Sequence, residues 1–158
     1  MTQVDVATFR HVAGHWASGV AVITTRDAAG RLFGLTMSGV TSLSISPMQF
    51  LICVDNRSTS LPAILESEHF CINYLAAEQE QVSRTFAGKS EDKFATVPYR
   101  LLPSGTPAID GALALIDCRI ASSMPGGDHT IIVGDVLHAE ASEREPLVHY
   151  RGRYRGLA

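Results

Sequence analysis

The sequence has few charged residues and no excess of positive ones. Asp, Glu, Lys and Arg make up 18% of its 158 residues, and the formal net charge at pH 7 is −3. Non-specific nucleic-acid binding needs a basic surface, so this balance argues against a nucleic-acid partner. The apolar content of 46% predicts one compact domain over residues 1–158, with apolar surface left for a subunit interface.

Cysteines and long apolar runs are also scarce. The three cysteines, Cys53, Cys71 and Cys118, are odd in number and lie in apolar segments, so we expect reduced, buried thiols in a cytoplasmic protein. None has an activating neighbour in sequence, which disfavours a catalytic thiol. No apolar run approaches the roughly 20 residues that span a bilayer. The start of the chain carries Asp5 and Thr8 instead of a basic, then apolar, leader, so we expect no membrane association.

Common nucleotide and metal motifs are missing as well. No Gly-x-Gly-x-x-Gly follows a predicted strand, and there is neither a Walker lysine nor a paired-cysteine zinc signature. His11 and His15 are spaced for one helix face but lack a third ligand in sequence, so we expect no metal.

Short β-branched segments separated by turns predict a mainly β protein with few helices. Such a pattern favours an antiparallel barrel or sandwich. The predicted helices cover 5–17, 58–67 and 78–86, and the predicted strands cover 20–25, 31–37, 50–54, 70–75, 112–122 and 130–141. Residues 38–47 and 89–107 are expected to be loops, and 146–158 is a basic tail.

Two polar segments are candidates for ligand binding. Residues 34–47 are rich in Ser, Thr and Gly, and such a loop can hold an anion or the polar edge of a flat heterocycle, or can satisfy its own backbone. In the segment 55–60, Ser58 beside Arg57 is a candidate phosphate contact. The alternative is that Ser58 or Thr59 is simply the N-cap of the following helix. Lys93 is either a phosphate contact or a solvated loop lysine.

One histidine stands in an unusual position. The run Gly126-Gly127-Asp128-His129 places an imidazole at the start of an apolar strand. A core histidine bonded to backbone is one interpretation. A ligand-facing histidine fits the flanking glycines better, because they let the backbone approach a ligand closely. The tail segment 150–155, with three arginines and two tyrosines, either covers a nucleotide or lies in solvent.

Taken in order, these pieces resemble the short-chain flavin reductases, from about Phe9 to Tyr154. The resemblance rests on an ordered set of short motifs rather than on one decisive motif. The matching residues are Phe9–Trp16, Ser18–Thr25, Gly34–Ser38, Ser42–Ser44, Ser46-Pro47, Cys53–Asp55, Ser58, Phe70, Ile72, Asn73, Leu75, Phe86–Gly88, Lys93-Phe94, Gly127–Thr130 and Gly134–Val136. One departure is Met48 after Pro47, where many relatives have a second proline.

The resemblance implies an antiparallel Greek-key split β-barrel of the FMN-binding type with a few flanking helices, built as a homodimer. It implies an NAD(P)H:flavin oxidoreductase, usually the reductase component of a two-component monooxygenase. Such an enzyme oxidises NADH or NADPH, reduces FMN or FAD by direct hydride transfer, and supplies the reduced flavin to a separate flavin-dependent monooxygenase.

The resemblance also assigns roles to individual residues. His129 would be the catalytic group, orienting the nicotinamide, with Asp128 setting its tautomer, and Arg153 and Tyr154 would close over that nucleotide. The flavin-binding residues would be Thr36, Met37, Ser38, Gly39, Thr41, Ser42, Leu43, Asp55, Asn56, Ser58, Ser60, Phe86, Ala87, Gly88 and Lys93.

Two other functions remain open at this stage. One is a non-catalytic split barrel that binds flavin or haem. The other is an oxidase of the same barrel type acting on a substrate such as pyridoxine phosphate, which would favour more basic phosphate ligands than this chain offers.

Overall fold

The computed structural model describes residues 4–157 and confirms a mainly β protein with three short helices. The helices are α1 (Val6–Ala13), α2 (Leu61–Ser67) and α3 (Glu80–Ala87), the last preceded by a 3-10 turn at Ala77–Gln79. The strands are β1 (Ser18–Gly19), β2 (Ala21–Arg26), β3 (Leu32–Met37), β4 (Val40–Ile45), β5 (Met48–Asp55), β6 (His69–Tyr74), β7 (Tyr99–Leu101), β8 (Pro107–Ile109), β9 (Ala114–Gly126), β10 (His129–Ala141), β11 (Val148–Tyr150) and β12 (Arg153–Arg155).

Seven strands form one antiparallel sheet in the order β3-β2-β6-β9-β10-β5-β4. Within it, β6-β9-β10-β5 is a Greek-key arrangement, because β5 lies beside β10 while its successor β6 lies three strands away. Two small sheets, β1-β11-β12 and β7-β8, flank the large one. The antiparallel, mainly β architecture expected from the sequence is therefore confirmed.

Strand β2 is buried on both faces and separates two apolar clusters. Successive side chains of a strand point to opposite faces. Accordingly Ile23 packs with Phe70 and Ile132 in one cluster, whereas Val22 packs with Phe86 in the other. The continuous apolar run of this strand thus reflects burial from two sides.

The first helix is shorter than predicted and its apolar face is not buried. It ends at Ala13 with Gly14 as its C-cap, and Asp5 caps its start by accepting a hydrogen bond from the Thr8 amide. Phe9 and Trp16 are 67% and 83% exposed. The predicted helix 5–17 thus stops at Ala13, and no described part of the same chain covers its apolar face or Trp16.

Two segments predicted as irregular are strands. Most of 38–47 is β4, which pairs with β5 through a short turn at Ser46-Pro47. The tail folds back as the hairpin β11-β12 against β1, with Arg151 and Gly152 both at positive φ, as a type I′ turn requires. The basic tail is therefore held against the domain.

The β9-β10 hairpin is longer than predicted. The expected turn at 124–128 shrinks to Gly127 and Asp128, and the strands run on to Gly126 and from His129. Gly127 has φ +72°, which a two-residue hairpin turn with glycine first requires. His129 consequently occupies the first position of its strand.

We expect Gly134→Ala to destabilise the fold by roughly 1–3 kcal/mol through overpacking. A Cβ at Gly134 would lie 2.6 Å from Phe70 Cζ and 2.7 Å from Cys118 Cβ. Gly19→Ala is the matched control, since a Cβ there meets no atom within 4 Å. Denaturant unfolding measures both, and equal stability of the two variants would contradict the packing described here.

Candidate functional site

Pairing between β5 and β10 places the predicted catalytic histidine beside the predicted flavin segment. His129 lies opposite Asp55 in the register. The Asn56 amide donates to the Asp128 carbonyl at 3.0 Å, and Thr130 Oγ1 donates to Asn56 Oδ1 at 2.8 Å. Residues far apart in sequence are thus locked together at one end of the sheet.

The His129 imidazole is oriented by its neighbour Asp128. Its Nδ1 lies 2.7 Å from Asp128 Oδ1, and the side chain is 40% exposed. Because an ionised carboxylate only accepts hydrogen bonds, Nδ1 carries the proton in this pair. In the neutral ring Nε2 is then an acceptor, so the pair sets the tautomer as expected from the sequence.

Arg57 is committed to Asp55 rather than to a phosphate. Its Nη2 donates to Asp55 Oδ2 at 2.7 Å, and its Nε and its backbone amide donate to Oδ1 at 3.1 and 2.8 Å. These side-chain and backbone hydrogen bonds hold the pKa of Asp55 well below its usual range, and the nearby His129 contributes in the same direction. Asp55 therefore stays ionised beside the imidazole.

The second helix begins later than its predicted N-cap. The cap residue is Ser60, not Ser58 or Thr59, and Ser58 Oγ instead accepts a hydrogen bond from the Ser60 amide at 3.3 Å. Ser60 is buried, with its hydroxyl 3.4 Å from the Gly34 carbonyl oxygen. Ser58 thus supports the turn before the helix.

The polar groups of the 36–43 segment divide into two sets. Thr36 Oγ1 donates to the Ser83 carbonyl at 2.7 Å, which fixes β3 to α3. The exposed hydroxyls of Ser38, Thr41 and Ser42 make no hydrogen bond within residues 4–157. They remain available to a ligand with polar edges.

Gly39 and Leu43, two other residues of this segment, have different surroundings. Gly39 lies against β5: its carbonyl accepts from the Cys53 amide at 2.9 Å, and a Cβ would sit 3.3 Å from Cys53 Cβ. Leu43 is 47% exposed on β4. A side chain at 39 would therefore be tight against β5, although Cys53 would need to move by only a few tenths of an ångström.

A cavity of about 180 Å³ joins the predicted flavin segment to the tail. Thr36, Met37 and Ser38 line it together with Ser83, His149 and Tyr154. Tyr154 Oη and Ser83 Oγ are hydrogen-bonded at 2.8 Å, and the Arg84 guanidinium lies 5.1 Å from the Tyr154 ring centroid. The tail hairpin thus reaches the site, as its assignment requires.

Sequence reasoning missed Ser83 and His149 in this cavity. Ser83 precedes Phe86 by one helical turn, so its buried position is visible in the helical period. His149 pairs with Ser18 and Tyr154 only because the tail folds back as a hairpin. Arg153, by contrast, is exposed on β12 and lines no described wall of this cavity.

Phe86 and Lys93 are more structural than predicted. Phe86 is fully buried against Gly34. A Cβ added to Gly34 would lie only 2.5 Å from Phe86 Cε1. Lys93 Nζ donates to the carbonyls of Gly34 and Phe86 at 3.1 and 2.9 Å. Burial lowers the pKa of Lys93. The third N–H group of the Lys93 ammonium remains for another acceptor. Ala87 and Gly88, which follow Phe86 in the chain, are exposed.

The buried thiols are unsuited to nucleophilic chemistry. Burial raises the pKa of Cys118 to about 12 and raises that of Cys71 further, so both remain protonated near neutral pH. In the described part of the chain, no three His, Cys, Asp or Glu side chains come together as metal ligands. Nor does any helix between residues 4 and 157 have the length and apolarity to span a bilayer.

These donors fit a flavin better than a compact anion. The uncommitted hydroxyls belong to Ser38 and to the edge strand β4, where Thr41 and Ser42 face opposite sides. Arg57 and Lys93 are already bonded to protein atoms, and dispersed neutral donors suit the polar edges of a flat heterocycle. The arrangement offers polar groups for a flat ring system at the 36–42 segment and an oriented imidazole where β10 pairs with the end of β5, although His129 does not line the cavity at residues 36–38.

Comparisons with known proteins agree with this geometry. A family model described as "Flavin reductase like domain" matches residues 13–158. A flavin reductase of Pseudomonas putida is 39% identical over 98% of this chain and 92% of its own length. The reductase component of a 4-nitrophenol 4-monooxygenase/4-nitrocatechol 2-monooxygenase of Rhodococcus opacus is 40% identical over 96% of this chain and 80% of its own.

A solved structure is also closely similar. It is an NADH:FAD oxidoreductase of Streptomyces globisporus, in complex with NAD and FAD fragments. It superposes with a TM-score of 0.93 at 36% identity, over 100% of this chain and 98% of that one.

Proposed function

This chain belongs to the flavin reductase-like family and is an NAD(P)H-dependent flavin reductase, and on that premise we propose how its residues divide the work. Reduced FMN or FAD passes to a partner flavin-dependent monooxygenase, a role supported by the similar reductase component from Rhodococcus opacus. The observation that carries the site assignment is the β5-β10 register, which sets His129 against Asp55 and Asn56.

The flavin side of the site uses hydroxyls and strand-edge backbone. Ser38, Thr41 and Ser42 offer free hydroxyls, and Gly39 allows the backbone to lie close to β5. Such a shallow site suits a flavin that must leave again, because few charged contacts hold it.

The nicotinamide side uses the oriented imidazole. A bound flavin would supply the acceptor for hydride from the nicotinamide, so the chain itself needs no nucleophile. His129 Nε2 accepts a hydrogen bond from the carboxamide, while Asp128 keeps the proton on Nδ1. Tyr154, held by Ser83, and Arg153 close over the nucleotide from the tail hairpin.

A purified sample with NADH and excess FMN or FAD tests the activity. We expect flavin-dependent loss of the nicotinamide absorbance band. A bound chromophore without NADH loss would instead favour a non-catalytic flavin- or haem-binding split barrel. NADPH in a parallel reaction identifies the preferred nucleotide.

We expect His129→Ala to raise KM for NAD(P)H or to lower the hydride-transfer rate about tenfold, the value of one lost hydrogen bond. The Kd for the flavin should be unchanged, because in this proposal the His129 imidazole contacts the nicotinamide and not the flavin. Stopped-flow reduction and fluorescence titration separate the two quantities. His138→Ala, an exposed histidine on the same strand, is the control. Unchanged kinetics in His129→Ala would remove this role.

A homodimer is part of the proposal. Two exposed apolar surfaces are ones that a second copy would cover. The first is the apolar face of α1, with Phe9 and Val12 exposed, together with Trp16 just after the helix; the second is the β4-β5 turn, with Ile45 90% exposed. Trp16→Asp and Ile45→Asp should each weaken self-association in sedimentation experiments. Leu101→Asp, at another exposed apolar position, serves as control. A monomeric parent protein would contradict this part.

We also propose a cytoplasmic setting, supported by three free cysteines, of which Cys71 and Cys118 are buried in different apolar clusters. Fractionation of the native cells tests it, and recovery outside the cytoplasm would contradict it.

A further inference from the structure

The arginine side chains of this protein divide by whether they pair with a carboxylate. Six of them form ion pairs: Arg31, Arg57, Arg84, Arg100, Arg119 and Arg144. Within residues 4–157, the side chains of the other five make neither an ion pair nor a hydrogen bond: Arg10, Arg26, Arg151, Arg153 and Arg155. Four of these five are exposed on α1 and on the tail hairpin β11-β12. We call this set the arginine surface: Arg10, Arg151, Arg153 and Arg155.

The fold brings the arginine surface together from the two ends of the chain. The Arg151 amide donates to the Gly14 carbonyl at 3.0 Å, and a Cβ on Gly14 would lie 3.8 Å from Arg151 Cα. Arg10 precedes Gly14 by one helical turn and therefore lies on the same side of α1, toward the hairpin. The rings of His15 and Tyr150 meet edge to face with centroids 6.2 Å apart, which is a second contact between this end of the chain and the hairpin.

The charge of this surface is not balanced by its own segments. Residues 5–17 and 148–157 contain a single acidic residue, Asp5, whose carboxylate already accepts from the amide and the hydroxyl of Thr8. The four guanidinium groups therefore concentrate positive charge in a chain whose formal net charge is −3. Arginine pairs with carboxylates in a planar, two-point geometry and is enriched in protein interfaces. The surface that complements it is an acidic protein surface.

The arginine surface lies on the outer side of one wall of the site cavity. Tyr154 lines that cavity together with Thr36 and Ser38. Arg153 and Arg155 flank Tyr154 on β12, and successive side chains of a strand point to opposite faces, so both arginines point away from the cavity. A protein seated on the arginine surface is thus separated from the cavity by the thickness of one hairpin.

We propose that the arginine surface docks an acidic patch of the partner monooxygenase, so that the two proteins are in contact when flavin is handed over. This inference rests on the proposed function, which supplies the partner. A second copy of this chain is the poorer occupant, because a two-fold contact would bring the same four positive charges together. The surface assigned to a second copy, with Phe9 and Val12, lies on a different side of α1 from Arg10.

The test uses a purified monooxygenase component that forms product with reduced flavin from this protein. Its Kd for the full-length reductase, measured by calorimetry without NADH, should rise with salt because screening weakens exposed charge contacts. Arg10→Glu and Arg155→Glu should each weaken binding about fivefold at low ionic strength, since each removes one exposed contact and adds repulsion. NADH-dependent flavin reduction should be unchanged in both variants, which also shows that they are folded.

Arg26→Glu is the matched control. Arg26 is also exposed and unpaired within residues 4–157, but it ends β2, whereas the start of β2 follows β1, the strand that pairs with β11. Its Kd should equal that of the parent protein. Arg153 is not used because it is assigned to the nucleotide, and Arg151 is not used because its φ of +50° makes the turn sensitive to substitution.

Several outcomes would overturn the inference. They are product formation without a complex at low salt, an equal loss of affinity in Arg26→Glu, a change confined to KM for NADPH, a change in self-association, or binding of a DNA duplex or anionic vesicles as tight as that of the monooxygenase. The first of these leaves the proposed function intact, because reduced flavin then reaches the monooxygenase by diffusion. Absence of flavin-dependent NADH loss in the parent protein would contradict the proposed function itself, so the two failures are distinguishable.

Discussion

The site depends on the register of β10 between β9 and β5. A shift of one residue would turn every side chain of the strand to the opposite face and carry Ile132 out of the core. The two-residue turn at Gly127-Asp128 sets the register on one side. On the other side, the Asn56 amide bonds to the Asp128 carbonyl and Thr130 bonds to the Asn56 side chain. The same strand register therefore fixes both the packing of the core and the position of His129.

The polar groups of the site fall into those that hold the fold and those left for ligands. Arg57, Lys93 and Thr36 satisfy other protein groups, whereas the hydroxyls of Ser38 and Thr41 remain free. A residue type at the right place in sequence does not reveal this division, because each donor has several partners within reach. The division matters for function, since a flavin held by few charges can be exchanged.

Much of the fold could be predicted from local patterns. The β-branched run at β2 and the helical segment that forms α3 each depend on neighbouring residues, and both predictions are confirmed. The β4 strand was missed because its Ser and Thr residues imitate a loop, while its pairing with β5 comes from elsewhere in the chain. The buried positions of Ser83 and His149 in the site cavity likewise follow from long-range contacts.

The sequence alone determined the class of the protein and the order of its motifs, and it singled out His129 as the candidate for the nicotinamide side of the site. Periodicity, turn glycines and an ordered set of motifs are properties of neighbouring residues, so they can be recognised without the tertiary structure. Only the tertiary structure decided which donors are free, that the tail lies beside the 36–38 segment, and that arginines from the two ends of the chain share one surface. Those facts depend on strand pairings between residues far apart in the chain, such as Ser18 and His149, which no local pattern encodes.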